Sequence, residues 1–421
     1  MQTLAVIGTG ISGMSAGYFL RDKFDVTFYE KEDYAGGHTN TLAIKEDGQN
    51  IYIDSAFMVY NEPTYPLLTR LFKELNIETK PTSMSFSVQH RPSGLEYCGT
   101  GLNGLFAQRR NIFNPRCIKM FLEIDRFRRE ADEVLDNPYY ASWTLAQYVR
   151  IKDYSEDFLQ KFLIPMSSAV WSTPADTMLG FPVQSLVRFF KNHCFLSLEG
   201  QLQWRTCVGG SRQYRDKIMA VFGDRVYTRR AAVKIKREAG KVCVTDPTGK
   251  VLIYDKAILA CHADAALGLL ADPTSTESLL LSKFSYIVNK TTLHTDDRVM
   301  PKLKSVWSSW NNRIENDLAG RPVTSTIYWM NSLQDVSKNK DYFISINDPG
   351  LVDPAKILWE KDYTHPLYTV EGQEAQLRLQ ELNQNGVVFF SGAYFRYGFH
   401  EDGLASGLDA ARAVLGGEVW P

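Results

Sequence analysis

Three glycines and one acid carry the first chemistry in this sequence of 421 residues. Gly8-Thr9-Gly10-Ile11-Ser12-Gly13 fits G-x-G-x-x-G, with the apolar run 4–7 before it and the apolar stretch 14–20 after it. A buried parallel strand ending in such a turn, followed by a helix, lets backbone N–H groups and a positive dipole end meet a pyrophosphate. Ile11 and Ser12, the variable residues of the motif, are nominated with the glycines as cofactor contacts. A second strand, Asp25-Val26-Thr27-Phe28-Tyr29, leads into Glu30, seventeen residues past Gly13, where a carboxylate accepts ribose hydroxyls. Strand, turn, helix and acid at this spacing predict a dinucleotide site.

The next residues narrow the dinucleotide. Glu30-Lys31, four residues, then Gly36-Gly37-His38-Thr39 resembles the signature of the flavin-containing amine oxidase superfamily, one branch of the glutathione-reductase-type flavoproteins. The resemblance implies FAD as cofactor, with paired glycines passing its phosphates and ribityl chain. Most relatives carry arginine where this chain has His38, a group expected to titrate near neutral pH. It further implies that Ala56 and Phe57 pass the isoalloxazine ring and that the backbone at Val233 contacts adenine. Gly392 and Ala393 would hold the ribityl chain, with Ala393 where an acid is usual. Gly403, Leu404 and Ala405 would open a helix under the flavin pyrimidine, starting near Asp402.

The same resemblance nominates catalytic residues. In amine oxidases a lysine holds a water at the flavin and two aromatic rings cage the amine. Lys290 falls on the matching strand and Tyr397 matches one ring, although a strand lysine more often faces solvent. His400 is placed to orient substrate. His400-Glu401-Asp402 is not expected to bind metal: three adjacent residues cannot converge on one ion, and Asp402 suits a helix cap.

Composition bounds the rest. The chain is 44% hydrophobic, 12% aromatic and 23% charged, with net charge −1, which suits a soluble enzyme of two or three domains and excludes a basic nucleic-acid binder. The six cysteines, Cys98, Cys117, Cys194, Cys207, Cys243 and Cys261, form no C-x-x-C pair and read as reduced thiols. With no signal-peptide pattern and no long apolar run, the expected location is cytoplasmic.

The expected fold is α/β. A Rossmann-like FAD-binding domain (1–57, 205–275 and 382–421) carries a discontinuous α+β substrate domain (58–204 and 276–381), in the topology of amine oxidases and p-hydroxybenzoate hydroxylase. Strands rich in aromatic and β-branched residues at 285–296, 306–310 and 324–331 suit a sheet flooring a pocket. Seven cations (Arg109, Arg110, Arg116, Lys119, Arg126, Arg128, Arg129) lie among aromatic residues. Interleaved acids favour a solvated helix face, with peripheral contact to the inner membrane face as the alternative.

Several segments resemble one branch more closely: Gly36-Gly37-His38-Thr39-Asn40-Thr41, Met166-Ser167-Ser168-Ala169-Val170-Trp171-Ser172, Tyr328-Trp329-Met330-Asn331 and Tyr397-Gly398-Phe399-His400-Glu401-Asp402-Gly403. They are similar to bacterial NAD/FAD-binding oxidoreductases encoded beside cyclopropane-fatty-acid-synthase-like methyltransferases. The resemblance implies hydride transfer from an apolar small-molecule or lipid substrate, a modified fatty acyl chain, with a methyltransferase as partner. The alternatives are a flavin amine oxidase, or a non-redox isomerase or scaffold beside a lipid methyltransferase.

Overall fold

The first apolar run forms the strand Gln2–Ile7, buried from Leu4 onward, at the centre of a five-stranded parallel sheet. This computed structural model describes residues 1–171, 173–193, 195, 202–384 and 386–420. Ser172 and Cys194 lie outside the described residues; the other five cysteines are free thiols.

The sheet runs Val226–Tyr227, Phe24–Tyr29, Gln2–Ile7, Lys256–Leu259, Val388–Phe390. The chain leaves the central strand first to one side and later to the other, so a switch point opens at its carboxyl end, at Gly8. Open α/β sheets hold ligands at such a point.

Two helices cross on this sheet at unusually close range. A Cβ on Gly403 would lie 2.6 Å from Ile11 Cγ2, and one on Gly407 would lie 2.4 Å from the Ser12 carbonyl oxygen. Glycine therefore lets the helix His400–Leu415 press against Ile11–Leu20, and the N-termini of both reach one cavity. The C-terminal helix begins at His400, earlier than the sequence suggests, because Asp402 Oδ2 accepts the Phe399 N–H at 3.0 Å and caps the first turn.

A seven-stranded sheet forms the opposite wall, in the order Ile357–Leu367, Ser285–His294, Phe343–Ile346, Pro322–Trp329, Trp310–Asn316, Phe86–His90, Leu95–Cys98. Register pairs Thr291 with Ile346, Ile346 with Thr326, and Tyr328 with Trp310, so these side chains share one face. Residues 306–310, expected as a strand, are mostly a tight turn: Asn311 Oδ1 accepts the Ser308 N–H at 2.9 Å, and pairing resumes only at Trp310. Among the described residues, no helix is long and apolar enough to cross a membrane.

Candidate active site

A cavity of about 690 Å³ runs from the switch point to the seven-stranded sheet. At its nucleotide end Gly8, Gly10, Ile11 and Ser12 line the wall. The helix Ile11–Leu20 has no side-chain cap and no acid in its first turn, which leaves its N–H groups open to an anion. Glu30 is buried beside them. Its Oε2 accepts from the Thr9 N–H at 3.1 Å and from the Thr9 hydroxyl, and its Oε1 from the Glu32 N–H at 2.9 Å. Lys31 and Lys361 both pair with Glu32, at 4.0 and 2.7 Å. With Asp362, which follows Lys361, these are the charged residues of the lining.

The deep end is apolar and aromatic. Phe399 stacks on Phe189 at 4.5 Å, Phe195 stacks on Trp204, and Trp204 meets Tyr65 edge-on. Val170, Met58 and Met84 fill between the rings, and Trp310 stands perpendicular to Tyr328 on the sheet floor. Among the described lining residues, this end carries no charged side chain.

Four imidazoles join the two ends, and burial keeps them neutral. It pushes His38 and His262 down to about 4 and His365 to about 3, and holds His400 well below its usual range. His400 stacks on Phe57 at 3.6 Å, and its Nε2 meets the Tyr214 hydroxyl at 2.8 Å. His262 stacks on Tyr286 at 4.1 Å. His38 therefore does not titrate near neutral pH as its residue type suggested, because it is enclosed between Tyr363 and His365.

The proton on His365 is placed by a chain of amides. The Lys290 backbone N–H donates to Asn347 Oδ1 at 3.1 Å, which turns the Asn347 amide so that Nδ2 donates to Asn289 Oδ1 at 2.6 Å. Asn289 Nδ2 must then donate to His365 Nδ1, at 2.8 Å. A neutral His365 thus carries its hydrogen on Nε2, which has no protein partner among the described residues.

Residues 11–337 match the family described as flavin containing amine oxidoreductase. The chain belongs to this family. Flavin-containing amine oxidase B of Bos taurus is 27% identical over 252 residues, covering 57% of this chain and 46% of that protein. The chain spans about half the length of the curated relatives it matches. Cyclohexylamine oxidase from Brevibacterium oxydans matches in fold with a TM-score of 0.70 at 17% identity, over 98% of each chain. A CLA-producing fatty acid isomerase from P. acnes matches with a TM-score of 0.67 at 13% identity, over 96% of this chain and 97% of that one.

The cofactor of this family member is FAD, and the cavity fits it. Beyond the helix N-terminus and Glu30, the wall holds four buried polar atoms without partners among the described residues: His38 Nε2, Thr291 Oγ1, Trp310 Nε1 and the Tyr394 hydroxyl. Buried polar atoms in folded chains are rarely left so, and a polar group in the cavity would satisfy them. A Cβ on Gly10 would meet no protein atom within 4 Å, which leaves a cradle open for the cofactor backbone.

The lining includes Gly8, Gly10, Ile11, Ser12, Glu30, Lys31, Gly37, His38, Ala56, Phe57, Gly392, Ala393, His400 and Gly403 of the residues nominated from sequence. Gly13, Gly36 and Thr39 stand behind it. A Cβ on Gly13 would sit 2.1 Å from the Gly8 carbonyl oxygen, Gly36 N–H donates to the Thr9 hydroxyl at 3.0 Å, and Thr39 bonds Tyr214 and His400.

Five nominations are corrected. Lys290 points to solvent and pairs with Glu360 at 2.8 Å, because strand alternation turns Asn289 and Thr291 inward instead. Tyr397 lies outside the lining, and Phe399 supplies the ring there. Val233 is 49% exposed and its N–H is committed to the Thr245 carbonyl, so Ala231 and Ala232 form the wall. Leu404 and Ala405 are buried away from the cavity, one turn past the true helix start.

Tyr363, His365, Lys361 and Thr364, all on the strand Ile357–Leu367, and His262 and Tyr286 were missed. The signal was present in Trp359-Glu360-Lys361-Asp362-Tyr363: aromatic residues on one parity, acids on the other.

Proposed function

We propose that this family member is an FAD-dependent oxidoreductase acting on an apolar substrate, a fatty acyl chain in free or lipid form. When bound, FAD supplies a hydride acceptor. The residues of the chain do the rest. Gly8, Gly10 and the start of the first helix hold the pyrophosphate, Glu30 holds ribose, and the aromatic wall from Phe399 to Tyr65 orders an acyl chain and excludes water. The His365 Nε2–H offers one hydrogen bond to a polar atom of cofactor or substrate.

The observation that carries this reading is the deep chamber, which offers rings and methionines and, among the described residues, no charge. An acyl chain matches such a wall along its whole length, whereas an amine would use only the faces of its aromatic rings. The solved fold of a fatty acid isomerase adds support. A lipid methyltransferase as partner belongs to the same proposal and rests on the sequence segments that resemble one branch of the family.

The test is to extract and identify lipid from the purified holoenzyme, then to mix it anaerobically with unsaturated and cyclopropane acyl chains or with alkyl amines. Bleaching by an acyl chain supports the proposal; bleaching by amines alone refutes it.

A further inference from the structure

A second cavity, of about 640 Å³, has no part in the site above. It lies at the edge of the seven-stranded sheet, where Arg91, Arg109, Arg110 and Lys302 line it together with His90 and Glu96. Among the described residues its one carboxylate is engaged: Glu96 accepts the backbone N–H groups of Lys302 and Leu303, each at 3.0 Å. Arg91 leans on Glu315 at 3.7 Å. Arg109 bonds only Asn103 and a backbone carbonyl, and no carboxylate pairs with Arg109, Arg110 or Lys302 among the described residues.

The adjoining segment leaves large apolar side chains in solvent. Phe113 is 87% exposed, Leu102 75%, Leu122 64%, Ile112 44% and Ile118 40%. None of them packs into a core among the described residues. Ile118 and Leu122 are one helical turn apart and share a stripe of Pro115–Asp136. The nearby acids are already engaged: Glu123 of this helix with Ser155 and Lys119, and Asp157 of the neighbouring turn Glu156–Phe158 with Lys161 and Arg116.

We propose that this face docks on an anionic phospholipid bilayer, with Phe113 and its apolar neighbours entering the interface and the Arg109–Arg110–Lys302 groove taking headgroup phosphates. Unpaired cations select an anionic partner, while protruding apolar side chains select one with an oily layer under its charge. A soluble polyanion satisfies only the first. The groove also lies at the far end of a strand pair whose near end walls the active-site cavity: Trp310, in that wall, pairs with Phe86, and His90, in the groove, pairs with Ile314. Four residues of strand separate the two, about 13 Å. Docking does not depend on what the active site oxidises and is read without turnover.

The experiment is co-sedimentation of the FAD-loaded protein with vesicles of phosphatidylcholine alone, or mixed in equal parts with phosphatidylglycerol. Binding is expected only to the mixed vesicles, weakening as salt rises from about 50 to about 500 mM. Reversal of Arg109, Arg110 and Lys302 to Glu should weaken it about a hundredfold. F113S should weaken it about tenfold while the flavin spectrum stays intact. Failure to bind mixed vesicles, equal binding to neutral ones, or binding indifferent to F113S overturns the proposal, the last pointing to a soluble polyanion.

Discussion

Asn289 donates its amide hydrogen to His365 Nδ1 at 2.8 Å, and through that bond the sheet register decides which nitrogen of His365 faces the cavity as a donor. The relay starts at a backbone N–H, which cannot change role. Asn289→Asp replaces the donating amide with an acceptor beside the same nitrogen. The carboxylate draws a proton onto Nδ1 and raises the imidazole from about 3 toward neutrality. The visible spectrum of bound flavin should be flat between about pH 5 and 9 in the parent protein and titrate in the Asp variant. A flat spectrum in both counts against His365 facing the cofactor.

The neutral imidazoles also set how the fold responds to acid. His38, His193, His262 and His294 are each held down to about 4 by burial, and His365 to about 3, against 6.5 for a free group. Below 6.5 the unfolded chain binds protons that the folded chain refuses, so stability falls as pH drops from 6.5 toward 4. The slope is about 1.4 kcal/mol per pH unit for each imidazole. Asp402, raised to about 7 by burial, works the other way over the same range, so the urea midpoint should show a net decline between about pH 6.5 and pH 4. His365→Phe should shallow that slope, whatever it does to the midpoint at neutral pH.

Two glycines of one motif should fail in different ways. A Cβ at Gly13 would stand 2.1 Å from the Gly8 carbonyl oxygen, a backbone atom that cannot swing aside. Gly13→Ala should lower stability by about 1–3 kcal/mol or more and show as a lower melting temperature. At Gly10 a Cβ meets no protein atom within 4 Å and φ is −61°, which alanine adopts freely. Gly10→Ala should therefore fold and melt normally, yet copurify with little FAD, because its methyl fills the cradle. Equal FAD retention in the Gly10 variant would place the pyrophosphate elsewhere.

What the sequence made legible follows the same division. The glycine motif and Glu30 are local: the turn needs glycine whatever lies around it, so the residue types announce the structure. Gly403 was legible as a residue of the cavity wall, but Leu404 and Ala405 were not separable from it until the Phe399–Asp402 cap fixed the helix start. The sheet floor depended on strand phase. Lys290 and Thr291 are adjacent, and only pairing with Ile346 and Lys361 shows which of them faces inward. His365 was harder still, since its role comes from Asn289 on the neighbouring strand and Asn347 beyond it.

The phase of that strand has a direct consequence. Lys290 is more than half exposed and its only ion pair among the described residues, with Glu360 at 2.8 Å, lies on the outer face. Lys290→Met should leave melting temperature, FAD content and turnover unchanged, since an exposed pair contributes little and the side chain does not reach the cavity. Thr291 faces the cavity with a buried hydroxyl that has no partner among the described residues. Thr291→Val keeps the shape and removes that hydroxyl, so any hydrogen bond it makes to cofactor or substrate disappears without a cavity being opened. An effect of about 0.5–1.5 kcal/mol on substrate or FAD affinity is expected, read by titrating the flavin absorbance, with the fold intact. If Lys290→Met abolishes turnover while Thr291→Val leaves affinity and turnover untouched, the inward face of this strand has been assigned the wrong way round.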